Sequence, residues 1–404
     1  MNIAVIGQGY VGLTLSIGAA KVGHKVIGLD INQNLISQLK LGNSDVPGVS
    51  QKDLNQLIIR GNYSPTADVT RISESDIIVI AVPTPLDSSR KPDLSYVRAA
   101  SEQIAQAVTT EALIINESTS FPGTLRNVIK STIESISNTN FLYASAPERI
   151  DPGNLDWNLT NTPRVVGGLT EKSVNLAIEF YETMGAPVFR VNSPEVAEAA
   201  KLFENTFRQI NIALANEFSI ISKKLGFSTN DAIQAASTKP FGFMPFFPSI
   251  GVGGHCIPVD PSYLSYAANQ VGVQTHFIEL ANSTNLNMVD YVVDQIRSVL
   301  VKDLSKSSIQ IAGIAYKPGV SDLRESPALD LVVALREEGV KVTWCDPLVK
   351  VWNGESSSEL SESIDLGLIV TPHSQIDFTI WKKTNVKVLD LSANSNNYGW
   401  PKFL

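Results

Sequence analysis

A glycine-rich turn close to the start of the chain restricts the fold more than any other feature. The strand pattern Asn2–Ile6 leads directly into the turn Gly7-Gln-Gly-Tyr-Val-Gly12, and an apolar helical pattern opens within that turn. A second strand pattern, Lys25–Asp30, follows the helix. A strand, a glycine turn of this spacing, a helix and a second strand form the first βαβ unit of a dinucleotide-binding sheet. The sequence therefore predicts a parallel α/β sheet.

The same turn predicts a cofactor. Gly7 permits the tight turn, Gly9 lets the backbone approach a pyrophosphate, and Gly12 allows the helix to pack closely on the strand. The helix N-terminus then faces the phosphates. Asp30 ends the second strand, where a carboxylate accepts both ribose hydroxyls and repels a 2′-phosphate, which favours NAD over NADP. The alternative is a glycine-rich turn without a ligand.

Threonines follow two further strand patterns. Thr84 lies in Val82-Pro-Thr-Pro85, and Thr119 ends Glu117-Ser-Thr119. Ligands of open α/β sheets bind at the carboxyl ends of the strands, so both hydroxyls are candidates for contact with the cofactor or with water. Either residue alone is more often part of a turn.

The rest of the chain alternates between strand and helix patterns, with one long helical interval. Further strand patterns are Ile77–Val82, Ala112–Glu117, Phe141–Ala144, Arg164–Gly167, Pro187–Arg190, Ile309–Ala315, Lys341–Cys345, Leu366–Val370 and Val386–Leu391. Helical patterns are Glu171–Gly185, Ser193–Leu225, Thr229–Ala236, Pro261–Val271 and Thr275–Leu300. We therefore predict an α/β protein with two Rossmann-like doubly wound domains joined by a long central helix. The predicted divisions are 1–192 for the dinucleotide-binding domain, 193–300 for a central helical segment with a long loop, and 301–404 for the second Rossmann-like domain.

The composition excludes several classes of function. The 404 residues have a net charge of −8 and no cluster of Lys or Arg, which argues against a nucleic-acid partner. Neither a membrane span nor a leader pattern is present, so we expect a cytoplasmic protein. The two cysteines, Cys256 and Cys345, are too few and too far apart for a disulfide framework or a zinc site, and we expect no metal.

The segment Gly251-Val-Gly-Gly-His-Cys-Ile-Pro-Val-Asp260 contains the candidate nucleophile. Its glycines permit backbone conformations that other residues avoid, and they let a substrate approach closely. A cysteine that ends such a run, with Asp260 shortly after it, indicates an exposed thiol beside an acid–base group. The alternative for a lone cysteine is a small buried hydrophobic residue, which is our interpretation of Cys345. We interpret His255 as a loop residue.

The long central helix pattern has a polar stripe. Lys201, Asn205 and Arg208 are spaced so that they share one helix face. A Lys and an Asn that project together suit an oxyanion or alkoxide. The alternative is a solvated face.

These segments together resemble the UDP-glucose/GDP-mannose dehydrogenase family from end to end. The matching pieces, in chain order, are Gly7–Gly12, Glu117-Ser-Thr119, Pro147-Glu-Arg149, Lys201-Leu-Phe-Glu-Asn205, Gly251–Asp260 and Gly313–Pro327. The resemblance implies an N-terminal NAD domain, a central dimerising helix and a C-terminal UDP-sugar domain. It implies NAD-dependent four-electron oxidation of the C6 hydroxyl of a UDP-hexose to the uronic acid, for cell-surface polysaccharide precursors.

The resemblance also implies roles for individual residues. Cys256 would form a thiohemiacetal and then a thioester, Lys201 and Asn205 would stabilise the oxyanion at C6, and Asp260 would assist proton transfer. Glu148 and Thr119 would position water or the reacting groups. The substrate-binding candidates are Glu148, Arg149, Lys201, Asn205, Arg208, Phe247, Gly253 and Lys317. The cofactor-binding candidates are Gly7, Gly9, Tyr10, Val11, Gly12, Asp30, Thr84, Thr119 and Arg324, the last at the NAD pyrophosphate.

The sugar is the least determined part of this prediction. Pro147–Asn154 and Thr238–Pro248 are similar to the branch that acts on UDP-N-acetylglucosamine, which we favour, whereas Gly254–Pro261 is shared with the UDP-N-acetylmannosamine branch. UDP-glucose and UDP-N-acetylmannosamine remain alternatives. A two-electron dehydrogenase would need no cysteine, and a catalytically silent NAD- or UDP-sugar-binding protein would be expected to lack Lys201, Cys256 or Asp260. The apolar central helix favours a homodimer.

Overall fold

The computed structural model describes residues 1–46, 48–150, 156–300, 302–384 and 386–404. They form two compact units. Unit 1 comprises Met1–Glu204 and Ser262–Gly272, and unit 2 comprises Asn205–Pro261 and Val273–Leu404. Residues 151–154 of the Pro147–Asn154 segment lie outside the described residues.

The strands are short, and some of them are buried along their whole length. They are β1 (Asn2–Ile6), β2 (Lys25–Leu29), β3 (Tyr63–Thr66), β4 (Ile77–Ile80), β5 (Leu113–Asn116), β6 (Leu142–Ser145), β7 (Arg164–Gly168), β8 (Val188–Arg190), β9 (Ser308–Ala312), β10 (Lys341–Cys345), β11 (Val351–Trp352), β12 (Glu355–Ser356), β13 (Leu366–Ile369) and β14 (Val388–Asp390). Of these, β4, β5, β13 and β14 are buried along their whole length. Continuous apolar runs of this kind are typical of parallel strands covered on both faces.

Helices connect most of these strands. They are α1 (Tyr10–Lys21), α2 (Gln33–Lys40), α3 (Gln51–Ile59), α4 (Ser95–Ala107), α5 (Ser131–Ile136), α6 (Glu171–Thr183), α7 (Pro194–Leu225), α8 (Thr229–Ser237), α9 (Asp260–Gln270), α10 (His276–Leu286), α11 (Met288–Val299), α12 (Pro327–Glu337) and α13 (Thr379–Lys383). A π-helical turn, Leu125–Lys130, leads directly into α5.

Unit 1 is built on an eight-stranded sheet in the order β3-β2-β1-β4-β5-β6-β7-β8. The strands from β3 to β6 are parallel, and β7 runs antiparallel to β6. The order reverses between β1 and β4, and ligands of such sheets bind at the carboxyl edge near that reversal. The loops after β1, β2, β4, β5 and β6 therefore determine what this unit can bind.

Unit 2 contains a four-stranded parallel sheet in the order β10-β9-β13-β14, and a small antiparallel pair, β11 and β12. Its core is formed by α11, α12 and the inner faces of the strands, and it includes the fully buried ring of Trp344. This sheet has the same central reversal as the sheet of unit 1, between β9 and β13.

The structure confirms the predicted fold class, with two Rossmann-like sheets and a long central helix, α7. One predicted helix was wrong. Thr275–Leu300 is two helices, α10 and α11, because the backbone at Asn287 has ψ −8°, outside the usual helical value. The missed elements include the edge strand β3, the β11–β12 pair and the short helix α13. The division into three domains at residues 192 and 300 stays a prediction.

Candidate active site

The glycine turn after β1 has the geometry that a dinucleotide phosphate needs. Gly7 has φ +93°, and a Cβ there would lie 2.4 Å from the Ala81 carbonyl oxygen. A Cβ on Gly12 would lie 1.8 Å from the carbonyl oxygen of Gly7, so only glycine lets α1 start this close to the strand. A Cβ on Gly9 would meet no protein atom within 4 Å, which leaves its surroundings open to a ligand.

The start of α1 is open to an anion. Gly9 is the N-cap and contributes no side-chain bond, and Tyr10 and Val11 form the first helical turn, both half-buried. The first N–H groups of a helix lack partners within the helix and carry a partial positive charge. This end of α1 therefore suits a phosphate.

Asp30 follows β2 and is half-buried. Its Oδ2 accepts the N–H of Gln8 at 2.7 Å, and its Oδ1 accepts the N–H of Asn32 at 2.8 Å. A carboxylate offers about four acceptor positions, so two remain for hydroxyl groups. Asp30 is thus fixed beside the glycine turn with capacity for a ribose.

The loops after β4 and β5 are joined by Ser118. Its hydroxyl accepts the N–H of Val82 at 2.9 Å and donates to the carbonyl of Val82 at 2.9 Å. The neighbouring Thr119 is half-buried, and so is Thr84, whose carbonyl accepts the hydroxyl of Tyr263 at 3.1 Å. Both predicted threonines therefore lie at the carboxyl edge of the unit 1 sheet.

A buried group of charges lies beside this edge. Arg164, the first residue of β7, has a side chain only 2% exposed. Its Nη2 lies 2.5 Å from Glu148 Oε2, and its Nη1 lies 3.2 Å from Glu117 Oε1. Tyr181 donates its hydroxyl to the same Glu117 oxygen at 2.6 Å. Burial raises the pKa of Glu117 to about 7, although Arg164 opposes that shift.

The polar stripe of α7 continues past the end of unit 1. Lys201 belongs to unit 1 and Asn205 to unit 2, and both are half-buried, whereas Arg208 is exposed. Arg149, a predicted substrate contact, donates from Nε and Nη2 to Glu204 at 3.1 and 2.6 Å. Substrate contacts of Arg149 and Arg208 stay predictions.

Cys256 lies in a turn that begins α9. Its carbonyl accepts the N–H groups of Val259 at 3.1 Å and Asp260 at 2.8 Å. The buried Asp260 in turn accepts the side-chain amide of Asn205 at 2.5 Å. Three predicted catalytic residues of unit 2 are therefore joined by two hydrogen bonds, with the thiol of Cys256 half-buried in the same turn. Cys345 is a contrast, since burial raises the pKa of its thiol to about 11.

The glycines before Cys256 make room for protein atoms. A Cβ on Gly253 would lie 2.8 Å from Cβ of Tyr316, and one on Gly254 would lie 2.8 Å from the ring of that tyrosine. Gly251 and Gly254 also have positive φ values, +134° and +88°. The run is therefore glycine-rich because it packs against the segment that contains Tyr316. Phe247 lies earlier in the same loop and is half-buried.

That segment carries the predicted phosphate-binding cations of unit 2. Lys317 is half-buried, and Arg324 is 58% exposed with its guanidinium bonded to Asp322. The carbonyl of Arg324 accepts the N–H of Gly254 at 3.0 Å, which ties the cysteine loop to this segment. The following residue, Glu325, has φ +49°, a conformation that non-glycine residues rarely adopt and that is often found at functional sites.

Comparison with known proteins decides the family. Three sequence profiles of the UDP-glucose/GDP-mannose dehydrogenase family match the chain: the NAD binding domain at residues 1–185, the central domain at 195–287 and the UDP binding domain at 310–393. The chain belongs to this family.

Curated members of the family are similar over most of their length. UDP-N-acetyl-D-mannosamine dehydrogenase from Pyrococcus horikoshii is 35% identical over 95% of this chain and 92% of its own. UDP-N-acetyl-D-glucosamine 6-dehydrogenase from Pseudomonas aeruginosa is 34% identical over 86% and 83%. The solved structure of the UDP-D-ManNAc dehydrogenase from Pyrococcus horikoshii has a TM-score of 0.88 at 33% identity and covers 100% of this chain and 97% of that one.

Membership establishes the class of reaction and the cofactor. The protein is an oxidoreductase of the NAD-dependent UDP-sugar dehydrogenase type, and the predicted NAD is confirmed. The open side of Gly9 and the spare acceptors of Asp30 fit that cofactor. In the part of the chain that the structure describes, no group of three or more His, Cys, Asp or Glu residues could hold a metal ion. No helix among the described residues is long and apolar enough to cross a membrane.

The sequence did not single out Arg164, Tyr181, Asp346 or His373, although each is buried and charged or hydrogen-bonded at a sheet edge. A signal for Arg164 was present, because an arginine opens the otherwise apolar strand pattern Arg164–Gly167. A buried arginine needs an anionic partner. Its partners Glu117 and Glu148 lie too far away in the chain for spacing to reveal them.

Proposed function

We propose that this dehydrogenase oxidises the C6 hydroxyl of a UDP-N-acetylhexosamine to the carboxylate in two successive hydride transfers, with Cys256 as the covalent nucleophile. The observation that carries the proposal is the hydrogen-bonded set of Asn205, Asp260 and Cys256 at the start of α9. A two-electron dehydrogenase has no use for a thiol held in this way.

The first oxidation requires removal of the hydroxyl proton from C6. Bound NAD supplies the hydride acceptor. Lys201 and Asn205 stabilise the developing oxyanion, since an ammonium and an amide N–H are both donors. Asp260 takes up the proton through water. Its bond to Asn205 orients that amide, so the two residues act as one unit.

The second oxidation requires a tetrahedral centre, which an aldehyde alone does not provide. The Cys256 thiolate adds to the aldehyde carbon and gives a thiohemiacetal, whose loss of hydride produces a thioester. Water positioned by Glu148 and Thr119 then hydrolyses the thioester. These roles rest on the family resemblance, and the half-buried thiol and threonine are compatible with them.

The N-acetylhexosamine is proposed because the relatives named above act on UDP-N-acetylglucosamine or UDP-N-acetylmannosamine. They divide between the two epimers, so the test is an NADH assay with both sugars and UDP-glucose side by side. We expect one N-acetyl sugar to exceed UDP-glucose in kcat/KM by at least about 10-fold, the discrimination that about 1–3 kcal/mol of pocket contacts provides. Faster turnover of UDP-glucose would contradict the proposed substrate class.

The nucleophile is tested by Cys256→Ser, with Cys345→Ser as the matched control. We expect Cys256→Ser to form no uronic acid while it still binds NAD and UDP. Cys345→Ser should keep its activity, because that thiol lies at the end of β10 with a raised pKa. Release of two NADH per sugar by Cys256→Ser would exclude the covalent mechanism.

We also propose a homodimer that forms through α7. Phe203, Leu214 and Leu225 are 68%, 62% and 70% exposed, and they recur at the spacing of three helical turns. Such a row of exposed apolar side chains indicates a surface that a second copy covers. Sedimentation should give twice the monomer mass of 43.7 kDa, and Leu214→Glu should reduce it to the monomer.

A further inference from the structure

The buried charges around Arg164 form a closed group within unit 1. One guanidinium lies between two carboxylates, those of Glu117 and Glu148, and its carbon lies 5.0 Å from the centre of the Tyr181 ring. Arg164, Glu117 and Glu148 have side chains that are 2%, 0% and 6% exposed. Such a group is stable only if its charges nearly balance, since burial penalises every uncompensated charge.

The two carboxylates are held in different ways. Glu148 Oε1 accepts the N–H groups of Arg149 and Ile150, both at 2.7 Å, and its Oε2 accepts Arg164 at 2.5 Å. Every one of these partners is a donor to the Glu148 carboxyl group. Glu117 Oε2, in contrast, is buried and has no hydrogen-bond partner among the described residues.

Glu117 is the carboxyl that takes up a proton more readily, because burial raises its pKa to about 7 and its Oε2 has no hydrogen-bond partner among the described residues, although Arg164 and Lys201 oppose that shift. The titratable groups that face Glu117 are Arg164 on β7, Tyr181 on α6, Glu148 after β6 and Lys201 on α7. The three bonds to Glu148 use three of about four acceptor positions, so one oxygen lone pair is left for a water molecule.

We propose that Arg164 and Glu117 are positioning residues for Glu148. Arg164 fixes the direction of the free lone pair on the Glu148 carboxylate, and the proton on Glu117 leaves Arg164 fully available to Glu148. This inference rests on the proposed function, in which Glu148 acts in hydrolysis of the thioester. Neither residue touches the reacting atoms in this scheme.

The group serves the hydrolysis of the thioester. The oxygen of water forms a bond to the thioester carbonyl carbon, and one proton of that water passes to the Glu148 carboxylate. The C–S bond breaks, and its electron pair leaves with the sulfur of Cys256 as the thiolate. A carboxylate that is rotated away from the water cannot accept that proton, so a disturbed Glu148 should leave the thioester in place.

The experiment combines steady-state kinetics with intact-protein mass measurement during turnover. Arg164→Lys keeps the charge but loses the planar group that bonds Glu148 while it faces Glu117. We expect kcat to fall about 10²-fold, KM for the sugar to stay within about threefold, and an acyl-sugar adduct on the protein to accumulate. The control is Arg190→Lys on the neighbouring β8, where the arginine is 45% exposed and bonds Glu171. It should show no accumulation.

If Arg164→Lys does not fold, the variant Glu117→Gln tests the positioning of Glu148 instead. Glu117→Gln has the shape of the protonated acid and cannot ionise. Because burial raises the pKa of Glu117 to about 7, the wild-type rate of thioester hydrolysis should fall as pH rises through 7, when the ionised Glu117 draws the Nη1 side of the guanidinium toward itself and turns Nη2 away from Glu148. Glu117→Gln should remove that fall.

Two results would overturn the inference: a folded Arg164→Lys that matches Arg190→Lys in kcat and adduct level, or a pH profile of Glu117→Gln that superimposes on the wild type. Failure of the proposed function would show in different measurements, on the wild type and on Cys256→Ser. The wild type itself would then release no NADH with any UDP-sugar, or Cys256→Ser would still make the acid.

Discussion

The two sheets each have a glycine directly after their central strand, Gly7 after β1 and Gly313 after β9. Both have positive φ, +93° and +82°, and each donates its N–H at 2.8 Å to the last residue of the neighbouring strand, Leu29 or Cys345. A Cβ would lie 2.4 Å from the Ala81 carbonyl oxygen in one sheet and 1.8 Å from that of Thr371 in the other. The turn that directly follows the central strand is therefore the same in both sheets.

The connection from this glycine to the next helix differs between the two units. In unit 1 the helix α1 begins at Tyr10, immediately after Gly9, so its N-terminus lies at the sheet edge. In unit 2 the chain runs from Gly313 to Ser326 before α12 begins. That longer segment carries Lys317 and Arg324. One sheet thus offers a phosphate the N-terminus of a helix, and the other offers charged side chains. The two arrangements suit two different nucleotides.

The carboxylate after the second strand shows the same divergence. Asp30 accepts two backbone N–H groups and is only half-buried. Asp346 is fully buried and accepts the N–H groups of four residues, Ile314, Ala315, Leu348 and Val349, as well as Nε2 of His373 at 3.0 Å. The carboxylate of Asp30 has acceptor positions left for a ligand. That of Asp346 is occupied by hydrogen bonds to the loops of its own unit. Equivalent positions of the fold therefore have opposite uses.

The shared glycine gives the largest expected effects. Gly7→Ala and Gly313→Ala should each lower the free energy of unfolding by about 4 kcal/mol or more, because the new Cβ overlaps a backbone oxygen that cannot move aside. The matched controls are Gly23→Ala and Gly354→Ala, which have similar φ values of +96° and +78° but open space around the Cβ. They should lose about 1–2 kcal/mol.

Denaturant unfolding and binding of NAD and UDP measure these variants. Where the protein still folds, Gly7→Ala should lose NAD and Gly313→Ala should lose UDP. Equal losses in test and control variants would show that conformation alone, and not the close approach of the backbones, demands glycine at this turn.

The paired carboxylates should separate stability from binding. Asp346→Asn should lower the free energy of unfolding by about 3 kcal/mol, because four N–H donors, three of them in buried bonds, lose an anionic acceptor. Asp30→Asn should change it by about 1 kcal/mol or less, but should weaken NAD binding about 10-fold. Calorimetric titration with NAD and denaturant unfolding check both. A stability loss in Asp30→Asn as large as that in Asp346→Asn would remove the distinction.

The dependence of stability on acid pH gives a second test of the role of Asp346. Burial would raise the pKa of Asp346, but the bonds from His373 and the backbone outweigh it and lower the pKa. A lowered pKa stabilises the fold above the unfolded value near 4, and that contribution is lost as pH falls through the folded value. Asp346→Asn should therefore lose less stability than the wild type between about pH 4 and pH 2.

Local sequence patterns predicted most of this fold, since apolar runs and glycine turns report backbone structure directly. They missed β3 because Pro65 lies in it, and proline is tolerated in a sheet only at positions such as this edge strand. The break at Asn287 was missed because the apolar periodicity continues through it without Pro or Gly.

The site was predictable only where neighbouring residues form a motif. The glycine turn, Asn205 and the Cys256–Asp260 turn were identified in this way. The roles of Arg164 and Asp346 depend on partners from distant segments, such as Glu117 for Arg164 and His373 for Asp346. Those pairs are brought together by strand order, which no spacing in the sequence encodes.

The smallest expected effects concern the two cations of the long segment in unit 2. Lys317→Gln should raise KM for the UDP-sugar about 10-fold, and Arg324→Gln should raise KM for NAD by a similar factor, as expected for one hydrogen bond to a charged group. Stability should change by less than about 0.5 kcal/mol in Arg324→Gln, because the arginine side chain of its ion pair with Asp322 is 58% exposed.

Arg297→Gln is the matched control for these two variants, since this exposed arginine of α11 bonds Asp294 and Glu338 and has no predicted ligand. It should alter neither KM value. If Arg324→Gln raised KM for the UDP-sugar and left that for NAD unchanged, Arg324 would serve the nucleotide of its own sheet. Each sheet would then bind the phosphates of its nucleotide with its own residues alone, whereas the family resemblance implies that Arg324 of unit 2 contacts NAD.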